Sequence, residues 1–85
     1  MAVYVDNAQL PYRGMSMSHM VADSTDELLV MADTIGVQRK WIQRAGTNYE
    51  HFDVCQSKRA LALRHGAKHI TNRELGLRLT GRDLL

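Results

Sequence analysis

At 85 residues the chain is long enough for one domain with one modest core, and a single domain over residues 1–85 is expected. Hydrophobic residues make up 45% and charged residues 24%, the balance of a folded globular protein, and no apolar run approaches the roughly 20 residues that cross a bilayer. A net charge of +2 permits contact with nucleic acid or an acidic partner without demanding either.

Cys55 is the sole cysteine, so no intrachain disulfide can form, which fits a reducing compartment. Met1-Ala2-Val3-Tyr4-Val5 meets Asp6 at once and lacks the basic-then-apolar pattern of a signal peptide. The expected location is therefore cytoplasmic, with no membrane partner. A core this small supplies only roughly 3–5 kcal/mol, so self-association is compatible with the chain's size.

In chain order, Ala2 to Val5 predicts a buried strand, ended by the turn-formers Asp6 and Asn7. Leu10 to Gly14 is expected to be a loop, because Pro11 disfavours a helix and Gly14 offers a turn. Met15, Met17, His19 and Val21 alternate with Ser16, Ser18, Met20 and Ala22, which predicts a second strand from Met17 to Val21. Ser24 followed by Glu27 is a capping box, and Leu28, Leu29, Met31, Ala32 and Ile35 recur at helical spacing. A helix is expected from Thr25 to Ile35, closed by Gly36.

Val37 to Gln43 is expected to be a strand with neither face purely apolar, followed by a polar loop from Ala45 to Glu50. Asp53 followed by Gln56 predicts a helix from Val54 to His65, ending at Gly66. Ala67 to Ile70 reads as a short strand. Thr71 with Glu74 is a further capping box, opening a helix that carries Leu75, Leu77 and Leu79 and frays before Gly81, with a loose tail over 81–85. This alternation predicts an α/β fold, a mixed or parallel sheet of three to four strands with about three helices.

Val3-Tyr4-Val5-Asp6-Asn7, His19-Met20-Val21-Ala22-Asp23, Gly36 to Gln43, His51-Phe52-Asp53 and Ser57-Lys58-Arg59-Ala60 follow one another in a recognisable series. Together they resemble a family of small bacterial and bacteriophage proteins known only as a domain of unknown function. The resemblance runs from about Ala2 to Ile70 and implies no activity. Related sequences accompany metal-dependent phosphohydrolase domains of the HD type, but this chain has no His-Asp dipeptide and is not such a hydrolase.

In open α/β sheets ligands bind beyond the carboxyl ends of strands. Asp6-Asn7, Gln43-Arg44 and the expected helix start at His51-Phe52-Asp53 would gather there, joined by His19. Asp6, His19, His51 and Asp53 are the candidate catalytic residues, with the histidines as acid or base and the carboxylates orienting them. Asn7, Ser57, Lys58 and Arg59 are candidate ligand-binding residues, because hydroxyl, amide and cationic groups near a helix start suit a phosphate. Against this, Asp53 could serve only as a cap and Lys58 and Arg59 as a solvated helix face. The His and Asp spacing matches no strong metal motif, no metal is expected, and the residues leave any cofactor unknown. Cys55, in the expected first helical turn, favours a thiolate but more simply reads as a small buried residue.

Trp41 with Arg39, Lys40 and Arg44 has the makings of a nucleic-acid or protein partner surface, bases stacking on the ring and cations meeting phosphates. Met15, Met17 and Met20 could add a pliable patch or simply be core. Two functions follow. The leading one is a small binding or accessory protein contacting a protein or nucleic acid. The alternative is a phosphate-ligand or nucleotide-binding domain, and an enzyme if the His, Asp and Arg side chains converge.

Overall fold

The computed structural model describes residues 2–77. Among them a mixed sheet of five strands is built around β3, Met15–Ala22, the longest. β1 (Val3–Val5) and β2 (Leu10–Tyr12) lie along one side of β3, both antiparallel to it. β4 (Phe52–Cys55) runs antiparallel along its other side, and β5 (Lys68–His69) adds to β1 in parallel. α1 (Thr25–Ile35) and α2 (Gln56–Arg64) cover one face. The strand period assigns the faces. Val3, Val5, Met20, Ala22, Phe52 and Val54 meet Leu28, Met31, Ala32, Ile35 and Ala62 in the apolar core. Tyr4, Met17, His19, Val21, Asp53 and Cys55 alternate with those strand residues and belong to the opposite face.

The register between β1 and β3 pairs Val5 with Met20, whereas β2 resumes with Leu10 opposite Met17, so the β1–β2 side carries two residues more than its partner. This bulge holds Asp6. The Asp6 N–H still donates to the His19 carbonyl (3.1 Å), and the chain then swings out before rejoining β3. The buried Ser18 hydroxyl closes the gap by donating to the Ala8 carbonyl (2.6 Å), while Gln56 Nε2 donates to Ser18 Oγ (3.1 Å).

α1 forms as expected. Ser24 Oγ accepts from the Glu27 N–H, and Gly36 closes the helix at φ 80°. The Thr71–Glu74 box also forms, and residues 72–77 are helical. Leu79 and the tail at 81–85 lie outside the described residues.

Four expectations are corrected. Leu10–Tyr12 is a strand rather than a loop. Arg13 and Gly14 both take positive φ (50° and 79°), as a two-residue hairpin turn between Tyr12 and Met15 needs, and the edge position tolerates Pro11. Val37 to Gln43 is not a strand but contains a 3-10 turn at Arg39–Trp41. The Val37 N–H returns to the Ala32 carbonyl, and Trp41 and Ile42 N–H groups bond three residues back, so the backbone is spent locally.

Phe52 and Val54 alternate into the core, so Phe52–Cys55 is a strand and the helix starts at Gln56 rather than Val54, ending at Arg64. Asp53 therefore caps nothing, and Cys55 is the N-cap residue rather than part of the first turn. The sheet accordingly has five strands where three to four were expected; the predicted α/β class stands.

Candidate functional site

Asp6, His19 and Asp53 form a row across three adjacent strands on the face away from α1 and α2, Asp6 from the bulge, His19 opposite it and Asp53 opposite His19. Asp6 is fully buried. Its Oδ1 accepts the N–H groups of Ala8 (3.2 Å) and His19 (2.8 Å), and its Oδ2 lies 2.7 Å from His19 Nδ1. A carboxylate only accepts, so Nδ1 carries the hydrogen and donates it. This contact locks the ring and its tautomer, leaving Nε2 as an acceptor on the edge turned from Asp6. Among the described residues no protein group bonds that Nε2.

The His51 ring stands edge-on to His19, centroids 5.6 Å apart. His51 Nδ1 donates to the Tyr49 carbonyl (2.8 Å), and its Nε2 lies 3.6 Å from Asp53 Oδ1. Gln43 Nε2 donates to Asp53 Oδ2 (2.6 Å), and a two-way backbone bridge joins Gln43 to His51. Both histidines border a cleft of about 420 Å³ that Arg44, Tyr49, Asn72 and Leu75 also line. The loop carrying Arg44 is anchored by Glu50, a mostly buried carboxylate that accepts from Thr25 Oγ1 (2.5 Å) and from the Gly46 N–H (3.1 Å).

The structure thus brings Asp6, His19, His51 and Asp53 together. Their meeting place is the open sheet face; Asp53 reaches it from β4 and His51 from the isolated bridge residue just before it, not from a helix start. Arg59 supports them from behind, its Nε donating to the Asp6 carbonyl (2.7 Å). Asn7 Oδ1 accepts from the Asn72 N–H (2.8 Å), tying the end of β1 to the last helical segment.

The remaining candidates lie elsewhere. Lys58 Nζ donates to the Ile35 carbonyl at the end of α1 (2.9 Å), where a cation is favoured. Ser57 Oγ lies 3.2 Å from Cys55 Sγ. That hydroxyl and, behind it, the Lys58 N–H hold the Cys55 thiol below its ordinary range, with partial burial opposing them.

The expected partner surface is divided. Arg39 is held in bidentate fashion by Asp33 (2.7–3.1 Å), which keeps the Asp33 carboxyl below the usual range. Arg44 belongs to the cleft. Lys40 and Trp41 remain together on the surface. Among the described residues no three His, Cys, Asp or Glu side chains gather closely enough to hold a metal ion. Gln43 was expected near the site together with Arg44, whereas Tyr49 and Glu50 were not picked out from the sequence; their only signal was their position in a polar loop between elements.

Residues 3–82 match the family described as Protein of unknown function (DUF4031). The chain belongs to this family. The match covers the whole of the Asp6–His19–His51 arrangement, so the cleft lies within the DUF4031 domain. No curated protein and no solved structure matches the chain significantly. Among the described residues no helix is long and apolar enough to cross a membrane.

Proposed function

We propose that this DUF4031 chain binds a phosphate-bearing small molecule in the cleft between His19, His51 and Arg44, and that His19 moves a proton on it. The observation that carries the reading is the locked pair, a buried carboxylate holding His19 by Nδ1 while Nε2 has no partner among the described residues. A buried Asp–His contact can serve structure alone. Here, however, the same ring borders a concave site with a second imidazole and a guanidinium, and this is the arrangement from which general acid–base chemistry is built. The Asp6 charge is matched by its three donors, so a phosphate beside His19 would offer its P–O–H to the Nε2 lone pair and its charged oxygens to Arg44, which also lines the cleft. Arg59 and Asn7 act as positioning residues. The reading includes a cytoplasmic setting, which suits the single thiol of Cys55.

Thermal melting and histidine NMR with inorganic phosphate and nucleoside monophosphates test it. A ligand of the folded state raises the melting temperature, by the equivalent of about 2.7 kcal/mol at a hundred times its Kd. Phosphate compounds are expected to raise it and to shift the His19 and His51 ring signals, with both responses weakened in Arg44→Ala. If a broad phosphate panel moves neither the midpoint nor those signals, the reading fails.

A further inference from the structure

A concavity of about 790 Å³ lies between the β2–β3 hairpin and the 3-10 turn. Leu10, Pro11 and Tyr12 form one wall; Val37, Trp41 and Ile42 form the other. Leu10, Tyr12 and Trp41 are 50%, 54% and 63% exposed and lie together, whereas Val30 and Leu77, comparably exposed, do not line this groove. We infer that this groove binds single-stranded nucleic acid, its rings stacking on bases and its cations meeting the phosphates.

Three observations choose this occupant. The Arg13 guanidinium lies 5.5 Å from the Tyr12 ring centre and the Lys40 ammonium 5.1 Å from that of Trp41, so each wall of the groove presents an aromatic ring beside a cation. Among the described residues neither cation has an acidic partner, in contrast to Arg39, which Asp33 holds. Asp53, the carboxylate in the groove, is already engaged by Gln43 and His51, so its charge is partly met from within. Each cation covers one face of its ring, and more than half of Tyr12 and of Trp41 stays exposed; exposed rings and cations without counter-charges are what a base-and-phosphate polymer requires, whatever its sequence. The groove adjoins the His19 cleft through the Gln43–His51 bridge and shares Gln43 and Asp53 with the polar cluster, but the rings and cations that carry the inference lie outside the proposed phosphate site.

Trp41 is the only tryptophan in the chain, so its fluorescence reports the groove directly. Short oligothymidylate and oligouridylate are titrated at two salt concentrations, beside a duplex of equal length and polyglutamate. The single strands are expected to quench Trp41 and to bind more weakly as salt rises. Trp41→Ala, followed by anisotropy of labelled oligothymidylate, is expected to lose roughly 10-fold or more in affinity, the usual worth of one stacked base, while Trp41→Phe keeps most of it.

Lys40→Ala and Arg13→Ala should each flatten the salt dependence by somewhat under one logarithmic unit per decade of salt. His19→Asn should bind oligothymidylate as wild type does, even if it abolishes phosphate binding in the cleft. Binding of duplex or polyglutamate as tight as that of the single strands, or an unchanged affinity in Trp41→Ala, would overturn the inference.

Discussion

The two faces of the sheet are made by the same strands and obey different rules. Under α1 and α2, Val5, Met20, Phe52 and Val54 are almost wholly buried and interlock with helical side chains, so position there is set by shape and apolar area. On the other face the same β3 presents Met17, His19 and Val21, and residues of the 44–50 loop and of the helical segment at 72–77 line the cleft with His19 and Val21. Order on that face comes from directed bonds: Asp6 to His19, Gln43 to Asp53, Glu50 to Thr25 and Asn7 to Asn72. The difference teaches where this small domain spends its stability and where its chemistry is exposed. One face is a continuous apolar contact, the other a set of polar joints around two openings.

If that division is right, truncation of the helix-covered face should cost most. Phe52→Ala removes the largest fully buried side chain and should destabilise by about 3–5 kcal/mol, read from urea unfolding. That is comparable to the whole stability expected of so small a core, so the variant should be largely unfolded at 37 °C. A stable Phe52→Ala would show that the core is not where the fold is decided.

Asp6→Ala comes next. It strands the Ala8 and His19 N–H groups and the His19 ring together, and unsatisfied buried donors cost about 1–3 kcal/mol each. Relaxation and solvent entry at the cleft should hold the total near ~3 kcal/mol. Its sharper signature is the loss of the single locked tautomer of His19, visible in nitrogen-15 spectra of the ring. An unfolding midpoint and ring spectrum equal to wild type would mean that Asp6 is not the joint this face depends on.

The same contrast explains what could be read from the sequence. α1 was legible in full, because the Ser24 cap, the Leu28–Ile35 spacing and Gly36 are local signals, each acting on the helix it belongs to. Gathering Asp6, His19, His51 and Asp53 was legible as a possibility. Its geometry was not, since the cross-strand pairing of His19 with Asp53 depends on β3 meeting β4 far along the chain. The strand and helix misplaced around Val37 and Val54 have different causes. Trp41 and Ile42 suit a strand by type, and Asp53 with Gln56 suits a cap. Local backbone bonds overrode the first, the Val37 N–H returning to Ala32 at the helix end, and a tertiary demand overrode the second, the burial of Phe52 and Val54. Pro11 misled for a related reason, as only an edge position makes it acceptable in a strand.

A joint between elements is a smaller matter than either face. Lys58→Met keeps the aliphatic stem and removes the ammonium that meets the Ile35 carbonyl at the end of α1. The expected loss is about 1 kcal/mol, seen in thermal or urea unfolding, with the phosphate response of the cleft unchanged. Loss of that response in a folded Lys58→Met would instead place Lys58 in the ligand site and blur the separation drawn between the helix side and the cleft.

The smallest expected effect concerns Cys55, which stands on β4 at the turn into α2. The Ser57 hydroxyl lowers its thiol pKa first, with help from the Lys58 N–H, so the folded chain releases this proton before an unfolded thiol would. Deprotonation therefore adds stability that is complete above the unfolded thiol's range and disappears as pH falls through the folded one. Because Cys55 is partly open to solvent the gain is slight, and reactivity is the better readout. The midpoint of the pH–rate profile for iodoacetamide should lie below that of N-acetylcysteine, and Ser57→Ala should move it back up. The midpoint is the quantity to compare, since a thiolate of lower pKa is also a weaker nucleophile and the rate alone misleads. A profile identical in wild type and Ser57→Ala would show that the hydroxyl does not reach the thiol in solution. The turn from β4 into α2 would then owe its geometry to the backbone alone.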